Sequence, residues 1–474
     1  MSRLPAITGP SLRRHCTCTA TSLHQRSGVA LLCAAALLTS PRPALADDSR
    51  YQDFPVGSRA TALGGAFVAL ADDPSGLFYN PAGICDARRL NVSVSASLYG
   101  IERQSRGSLG IDRSTFSLAT LNTLNVIPGE AGLLKGVGAL DERGTPWAFG
   151  FDVTVPSFRS YGSDQTSPEE VHTRVLDRTF DLAVGAGLRW NQKLNLGFAL
   201  HYVLRLFDNS EDALVLSGDP KEPTLGVYHA TASFQNGNLV GLAGAKYRLD
   251  ERWILGAALG LPGIPVHSAG TVRVQDELSD PNAPAGSRTA ANVFNTSEVE
   301  SRTPVPLLLR LGFARIEAHR WTVSSQLTLH GGAQYDRFTV PANVASRLRL
   351  QNTVQRAFVF DLNAGGEYLI NPEYSFALGL FTDRSGAPAL DVSADGALKS
   401  ASSHLPRVAL YGGTASLGLI GAHAISRLGI SLSYGTGDEA VPNDPTGTQD
   451  PTGYRIASVH QLFLYVFLAS TFRY

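Results

Sequence analysis

The sequence predicts an all-β protein, a transmembrane antiparallel β-barrel of about 14 strands, the even count such barrels adopt. Three observations carry that expectation. An export signal opens the chain, long stretches alternate in polarity with period two, and short turns alternate with long polar connections along the rest of it. Each restricts what the others can mean.

The export signal is read from Arg13, Arg14 and Arg26, which precede an apolar run over residues 29–38, and from the small residues of Ala44-Leu45-Ala46. Residues 1–46 are therefore expected to be a signal peptide, with the mature chain beginning near Asp47. Cys16, Cys18 and Cys33 would leave with it. Only Cys85 remains, so no internal disulfide holds the exported protein. Beyond the signal no stretch reaches the roughly 18–20 consecutive apolar residues of a membrane helix. In hydrocarbon, only a closed barrel then satisfies the backbone. The chain has 474 residues, 17% of them charged, and a net charge of -1, which argues against both disorder and a basic nucleic-acid surface.

The alternation is clearest where large apolar residues recur at every second position. Trp147, Phe149, Phe151 and Val153 oppose Ala148, Gly150 and Asp152. Phe180, Leu182, Val184 and Leu188 oppose Asp181, Gly185 and Arg189; Leu196, Phe198 and Leu200 oppose Gly197, His201 and Arg205. Phe358, Phe360 and Leu362 oppose Asp361, Gly365 and Glu367. Short connections are expected near 191–192, 250–251, 317–319, 371–372 and 421–425, and long ones over 156–177, 208–226, 262–304, 331–353, 383–403 and 436–454. The second strand is placed near 114–121, with 122–144 as an unusually long connection. The stretch 228–249 is either one long strand or a hairpin around Gln235-Asn236-Gly237-Asn238, which would raise the count to about 16. The last segment sets Leu462, Leu464, Val466, Leu468, Phe472 and Tyr474 on one parity, a pattern like the assembly signal of outer-membrane barrels.

Between signal and first strand, residues 47–89 form a separate expectation. Ala60, Ala62, Gly64, Gly65, Ala66 and Ala69 suit a short, closely packed helix; Asp72-Asp73-Pro74 would end it, and Asn80-Pro81-Ala82-Gly83 reads as a turn. The stretch from Gly57 to Gly83 resembles the hatch of the FadL-like outer-membrane transporters, whose Asn-Pro-Ala turn matches Asn80, Pro81 and Ala82. That resemblance implies a hatch over 47–89 plugging a barrel over 90–474, with Gly64, Gly65, Asn80, Pro81 and Ala82 as its gating residues. It also implies passive, hatch-gated uptake of hydrophobic molecules such as long-chain fatty acids, and lateral release through a wall opening that no spacing here reveals.

Candidate lumen-lining residues are Asp152, Asp181, Arg189, His201, Arg205, Arg310, Asp361 and Glu367, expected to be paired or hydrated. The inward parity of the last strand adds Phe463, Tyr465 and Phe467, an apolar patch serving either a hydrophobic ligand or hatch packing. No Gly-x-Ser-x-Gly elbow occurs and the eleven His residues are scattered, so neither an enzyme, a metal nor a cofactor is expected. The expected partners are outer-membrane lipids, a hydrophobic small molecule and, through the C-terminal strand, the barrel-assembly machinery. The expected location is the outer membrane of a Gram-negative bacterium, with both mature termini periplasmic. A second reading makes the same barrel a docking or shuttle component for secreted proteins.

Overall fold

A computed structural model describes residues 50–53, 55–87, 90–106, 127–141, 144–166, 170–219, 222–279, 289–317, 320–341, 353–390, 392, 407–442 and 454–474. The signal segment 1–46 and the stretch 114–121 lie outside them. The strands are β1 (Leu90–Arg106), β2 (Ile127–Val137), β3 (Trp147–Thr166), β4 (Glu170–Arg189), β5 (Leu194–Asp219), β6 (Glu222–Arg248), β7 (Trp253–Gly260), β8 (Ile264–Ser279) and β9 (Thr289–Val299). There follow β10 (Leu308–Glu317), β11 (Trp321–His330), β12 (Ala333–Asp336), β13 (Thr353–Arg356), β14 (Val359–Leu369), β15 (Tyr374–Asp383), β16 (Arg407–Ile420), β17 (Ala424–Pro442) and β18 (Tyr454–Arg473).

Among the described residues fourteen strands close into an antiparallel barrel in the order β5-β4-β3-β2-β1-β18-β17-β16-β15-β14-β11-β10-β7-β6, sealed by the β5–β6 pairing. Closure leaves no unpaired edge in the wall, the condition a sheet must meet in hydrocarbon. Trp147, Phe149, Phe151, Val184, Phe198, Leu200, Phe360 and Leu362 are exposed on the outside, while Ala148, Asp152, Asp181, His201 and Glu367 are buried inside. The period-two pattern thus assigns the two faces as the sequence predicts.

Two sequence expectations are corrected, and one left open is decided. The stretch 122–144 is not a connection: β2 lies within it, sending Leu133 and Val137 outward and Leu134 inward. Gly132 and Gly136 on its inner parity disguise the strand as a loop. Of the two readings left for 228–249, one long strand is what the structure shows, with β6 running unbroken against β5 through Asn236 and Asn238. The long connections 156–177 and 208–226 are largely strand, since β3–β4 and β5–β6 keep pairing far beyond the apolar band.

Above that band β8 continues along the same edge of β6 that β7 occupies below, and β9 pairs outside β8. Phe207, Phe234, Val272, Val274 and Phe338 form a separate apolar cluster there. In β3 the register shifts between Thr154 and Ser157, which places Pro156 at a bulge, where a missing N–H costs the ladder little.

Candidate functional site

The barrel is filled by the segment from Pro55 to Ala87. It comprises α1 (Ser58–Ala62), α2 (Gly76–Tyr79) and a 3₁₀ turn over Pro81–Asp86. Leu63, Phe67, Val68, Ala71, Leu77 and Ile84 are fully buried. The helix expected through the small residues is shorter than the sequence suggests. It stops not at Asp72-Asp73-Pro74 but at Gly64 and Gly65, whose φ values of 63° and 85° leave the helical region. A Cβ on Gly64 would lie 2.9 Å from the Leu380 nitrogen, so that turn presses on the barrel wall.

A buried irregular backbone needs partners for its polar groups, and the wall supplies them. Gln326 Oε1 accepts from the N–H groups of Phe67 (3.2 Å) and Val68 (2.9 Å). Asn363 Nδ2 donates to Gly64 O (2.7 Å), and Thr414 Oγ1 donates to Ala62 O (3.2 Å). Asn80 serves three segments at once. Its Nδ2 donates to Val68 O (2.8 Å) and to Ala245 O of β6 (3.0 Å), while its Oδ1 accepts from Ala82 N (3.1 Å), two residues on. The Asn-Pro-Ala turn is therefore both a cap for the 3₁₀ turn and a pin to the wall.

Ionic clamps act at three levels. Toward the long-connection end, Arg50 lies 3.2 Å from Asp383 and Arg159 lies 2.6 Å from Asp53. Lower down, near the short turns after β14 and β16, Glu367 takes Arg59 (3.0 Å) and Arg427 (2.8 Å), and Arg59 also binds Asp72 (2.9 Å). At the short-turn end, Asp86 takes Lys246 (2.7 Å) and Arg248. Buried pairs of this kind fix geometry more than they add net stability. The first described residue, Arg50, thus lies toward the long-connection end, and the chain descends the lumen to β1. The sequence reading instead had this segment rising from the short-turn end.

A fourth level is acidic. Asp73 of the hatch, held by Ser75 Oγ (2.6 Å), faces Glu130 and Asp152 of the wall. Both carboxylate oxygens of Asp152 lack a hydrogen-bond partner among the described residues. Burial, followed by the neighbouring Asp72, pushes the Asp73 carboxyl up to about 6. Burial opposes ionisation of Asp72 too, but the Arg59 guanidinium holds it well below the usual carboxylate range.

The other lumen candidates divide by depth. Asp181 and His201 pair at 2.9 Å, and Arg205 pairs with Asp177. Arg310 donates to Phe78 O (2.6 Å) and lies over the Phe78 ring. These line a cavity of about 180 Å³ above α2, bounded also by Tyr51, Val240 and Leu242. Arg189 sits apart at the short-turn end with Asp141 (2.7 Å), and Asp361 accepts from Arg384 N (2.8 Å) and from Thr382. Phe463 packs under Arg50, whereas Tyr465 and Phe467 border a smaller gap beside Pro55 and Thr61. Sequence reading missed Arg59, Gln326, Asn363 and Arg427. For Gln326 and Asn363, the available signal was a polar residue on the inward parity of an otherwise alternating strand.

Among the described residues no cluster of three or more His, Cys, Asp or Glu is arranged to hold a metal ion. No protein-family profile matches the sequence, and no curated protein matches it. Solved structures do match. A FadL homologue of Pseudomonas aeruginosa superposes with a TM-score of 0.58 at 12% identity, covering 91% of this chain and 100% of that one. The toluene transporter TodX of Pseudomonas putida gives 0.57 at 14%, covering 90% and 99%. The toluene transporter TbuX of Ralstonia pickettii gives 0.54 at 14%, covering 89% and 98%. The resemblance carried by residues 57–83 therefore extends to the fold of almost the whole chain.

Proposed function

We propose that this chain, which has the FadL-like fold, is an outer-membrane channel for passive uptake of hydrophobic molecules, gated by the hatch. The observation that carries this reading is a lumen closed by 55–87 with a mainly apolar cavity directly above it. An apolar solute crosses the polar lipopolysaccharide layer poorly, and such a cavity offers it an intermediate stop. Long-chain fatty acids and single-ring hydrocarbons are the substrates this reading names. Gly64, Gly65, Asn80, Pro81 and Ala82 would form the part of the hatch that shifts.

The remaining parts fit one scheme. Residues 1–46 direct export, the outward apolar band meets membrane lipid, and β18 engages the assembly machinery. The short turns face the periplasm, so solute enters from the long-connection end. Pro156 supports a lateral exit: its bulge borders the cavity, and its carbonyl is taken by Asp53 N (2.9 Å) of the hatch rather than by β4.

Whole-cell uptake tests the reading, in a strain stripped of comparable channels and expressing this chain. Radiolabelled palmitate or toluene should enter several-fold faster than in the empty strain, and a labelled disaccharide should not. Unchanged uptake of both apolar probes, with a heat-modifiable folded barrel in the membrane, would contradict it and favour the docking reading.

A further inference from the structure

The polar atoms lining the cavity above α2 are not equally committed. Four of its donor side chains are engaged: Arg50 by Asp383, Arg159 by Asp53, Arg205 by Asp177, and Arg310 by the Phe78 carbonyl. Two of its acceptors are not. His201 is 4% exposed and its Nδ1 lies 2.9 and 3.1 Å from the two Asp181 oxygens, while Nε2 has no partner among the described residues. Asn238 is 3% exposed; its Nδ2 donates to Thr303 O (3.1 Å), which fixes the amide, and its Oδ1 has no partner among the described residues.

In the neutral imidazole, donation of Nδ1–H to Asp181 leaves Nε2 as an acceptor. Two buried, unpartnered acceptors are costly unless something donates to them. They are also neighbours. Val203 is registered against Asn238 and His201 against Val240, so His201 and Asn238 stand diagonally on one inner face, about 7–8 Å apart with their Cβ atoms somewhat closer. The cavity of about 180 Å³ is only a little larger than the roughly 150 Å³ that accommodates benzene in an engineered protein core.

We propose that this cavity selects a neutral single-ring compound bearing a hydroxyl group, with the hydroxyl donating to His201 Nε2 or Asn238 Oδ1 and the ring lying among Phe78, Val240 and Leu242. The inference rests on the uptake reading and sharpens its substrate class. A carboxylate is disfavoured, because it brings no hydrogen to the two acceptors that need one. A plain hydrocarbon fills the space but leaves both acceptors buried and unpaired, the situation in which sites discriminate most strongly against the analogue lacking the hydroxyl.

Equilibrium dialysis of the full chain in nanodiscs, with empty nanodiscs as blank, tests this with p-cresol, p-xylene and p-toluate, which share a ring and a methyl. The p-cresol affinity should exceed those of p-xylene and p-toluate by about tenfold or more. In His201→Phe and Asn238→Leu the preference of p-cresol over p-xylene should shrink toward unity, and His201→Gln should retain part of it. The wild-type comparison needs no variant to fold. Equal affinities for p-cresol and p-xylene, or tightest binding of p-toluate, would overturn the inference while leaving uptake intact. Failure of all three to bind, together with no uptake of palmitate or toluene in cells, would overturn both.

Discussion

A chain lacking residues 55–86 should fold into a barrel that conducts ions freely, where the intact protein conducts little. Those residues occupy the lumen at every level between the Asp53 and Asp86 clamps, and their removal takes away Leu63, Phe67, Val68, Leu77 and Ile84 together. Eight-stranded barrels are filled by their own side chains and those of 16–18 strands hold water, so fourteen strands stripped of a plug should be wet. What remains inside is mostly hydrophilic, with Arg427, Glu367, Gln326, Asn195 and Lys246 all losing hatch partners. Planar-bilayer recording should show single-channel conductance raised by a factor of about ten or more over the intact chain. Barrel closure itself rests on strand pairing alone, so folding should survive.

Glu367→Gln should release the hatch without emptying the barrel. Glu367 binds both Arg59 and Arg427, and its side chain and that of Arg427 are 8% and 4% exposed. An amide keeps the shape and loses the charge, leaving the buried Arg427 guanidinium without that carboxylate while Arg59 keeps Asp72. Removing one member of a buried ion pair costs about 3–5 kcal/mol, enough to undo docking of a segment that has no disulfide. Hydrogen exchange should show protection lost at the Phe67 and Val68 amides, with the wall strands unchanged. Arg427→Leu made in the same chain should restore part of the protection, because it removes the charge left unpaired.

How much of this was readable beforehand follows from where physics leaves a local trace. Strands exposed to lipid must carry large apolar residues at every second position, so Trp147 to Phe151 and Phe358 to Leu362 announce themselves. β2 does not, since its inner parity holds Gly132, which would overlap Pro74 of the hatch if it bore a Cβ. Its glycines serve the plug and erase the pattern. The Asn80 turn was legible because an Asn-Pro pair caps a turn by a bond two residues on. Its hydrogen bond to Ala245 O was not, because that contact joins positions 165 residues apart. The same holds for the Arg59–Glu367–Arg427 clamp and for the pairing of His201 with Asn238 in one cavity. Parity places Glu367, Arg427, His201 and Asn238 on the inner face; only the closed barrel and its plug bring each set together.

Solute should pass only when the hatch moves, and a reversible tether between hatch and wall decides whether it does. A Cβ on Gly187 would lie 2.8 Å from the Cys85 sulfur, so Gly187→Cys places a second thiol within bridging reach between hatch and wall. The oxidised protein should take up labelled palmitate or toluene no faster than cells without it, and a thiol reductant should restore the rate of the untethered barrel. Uptake at the full rate while the disulfide is intact would contradict the claim.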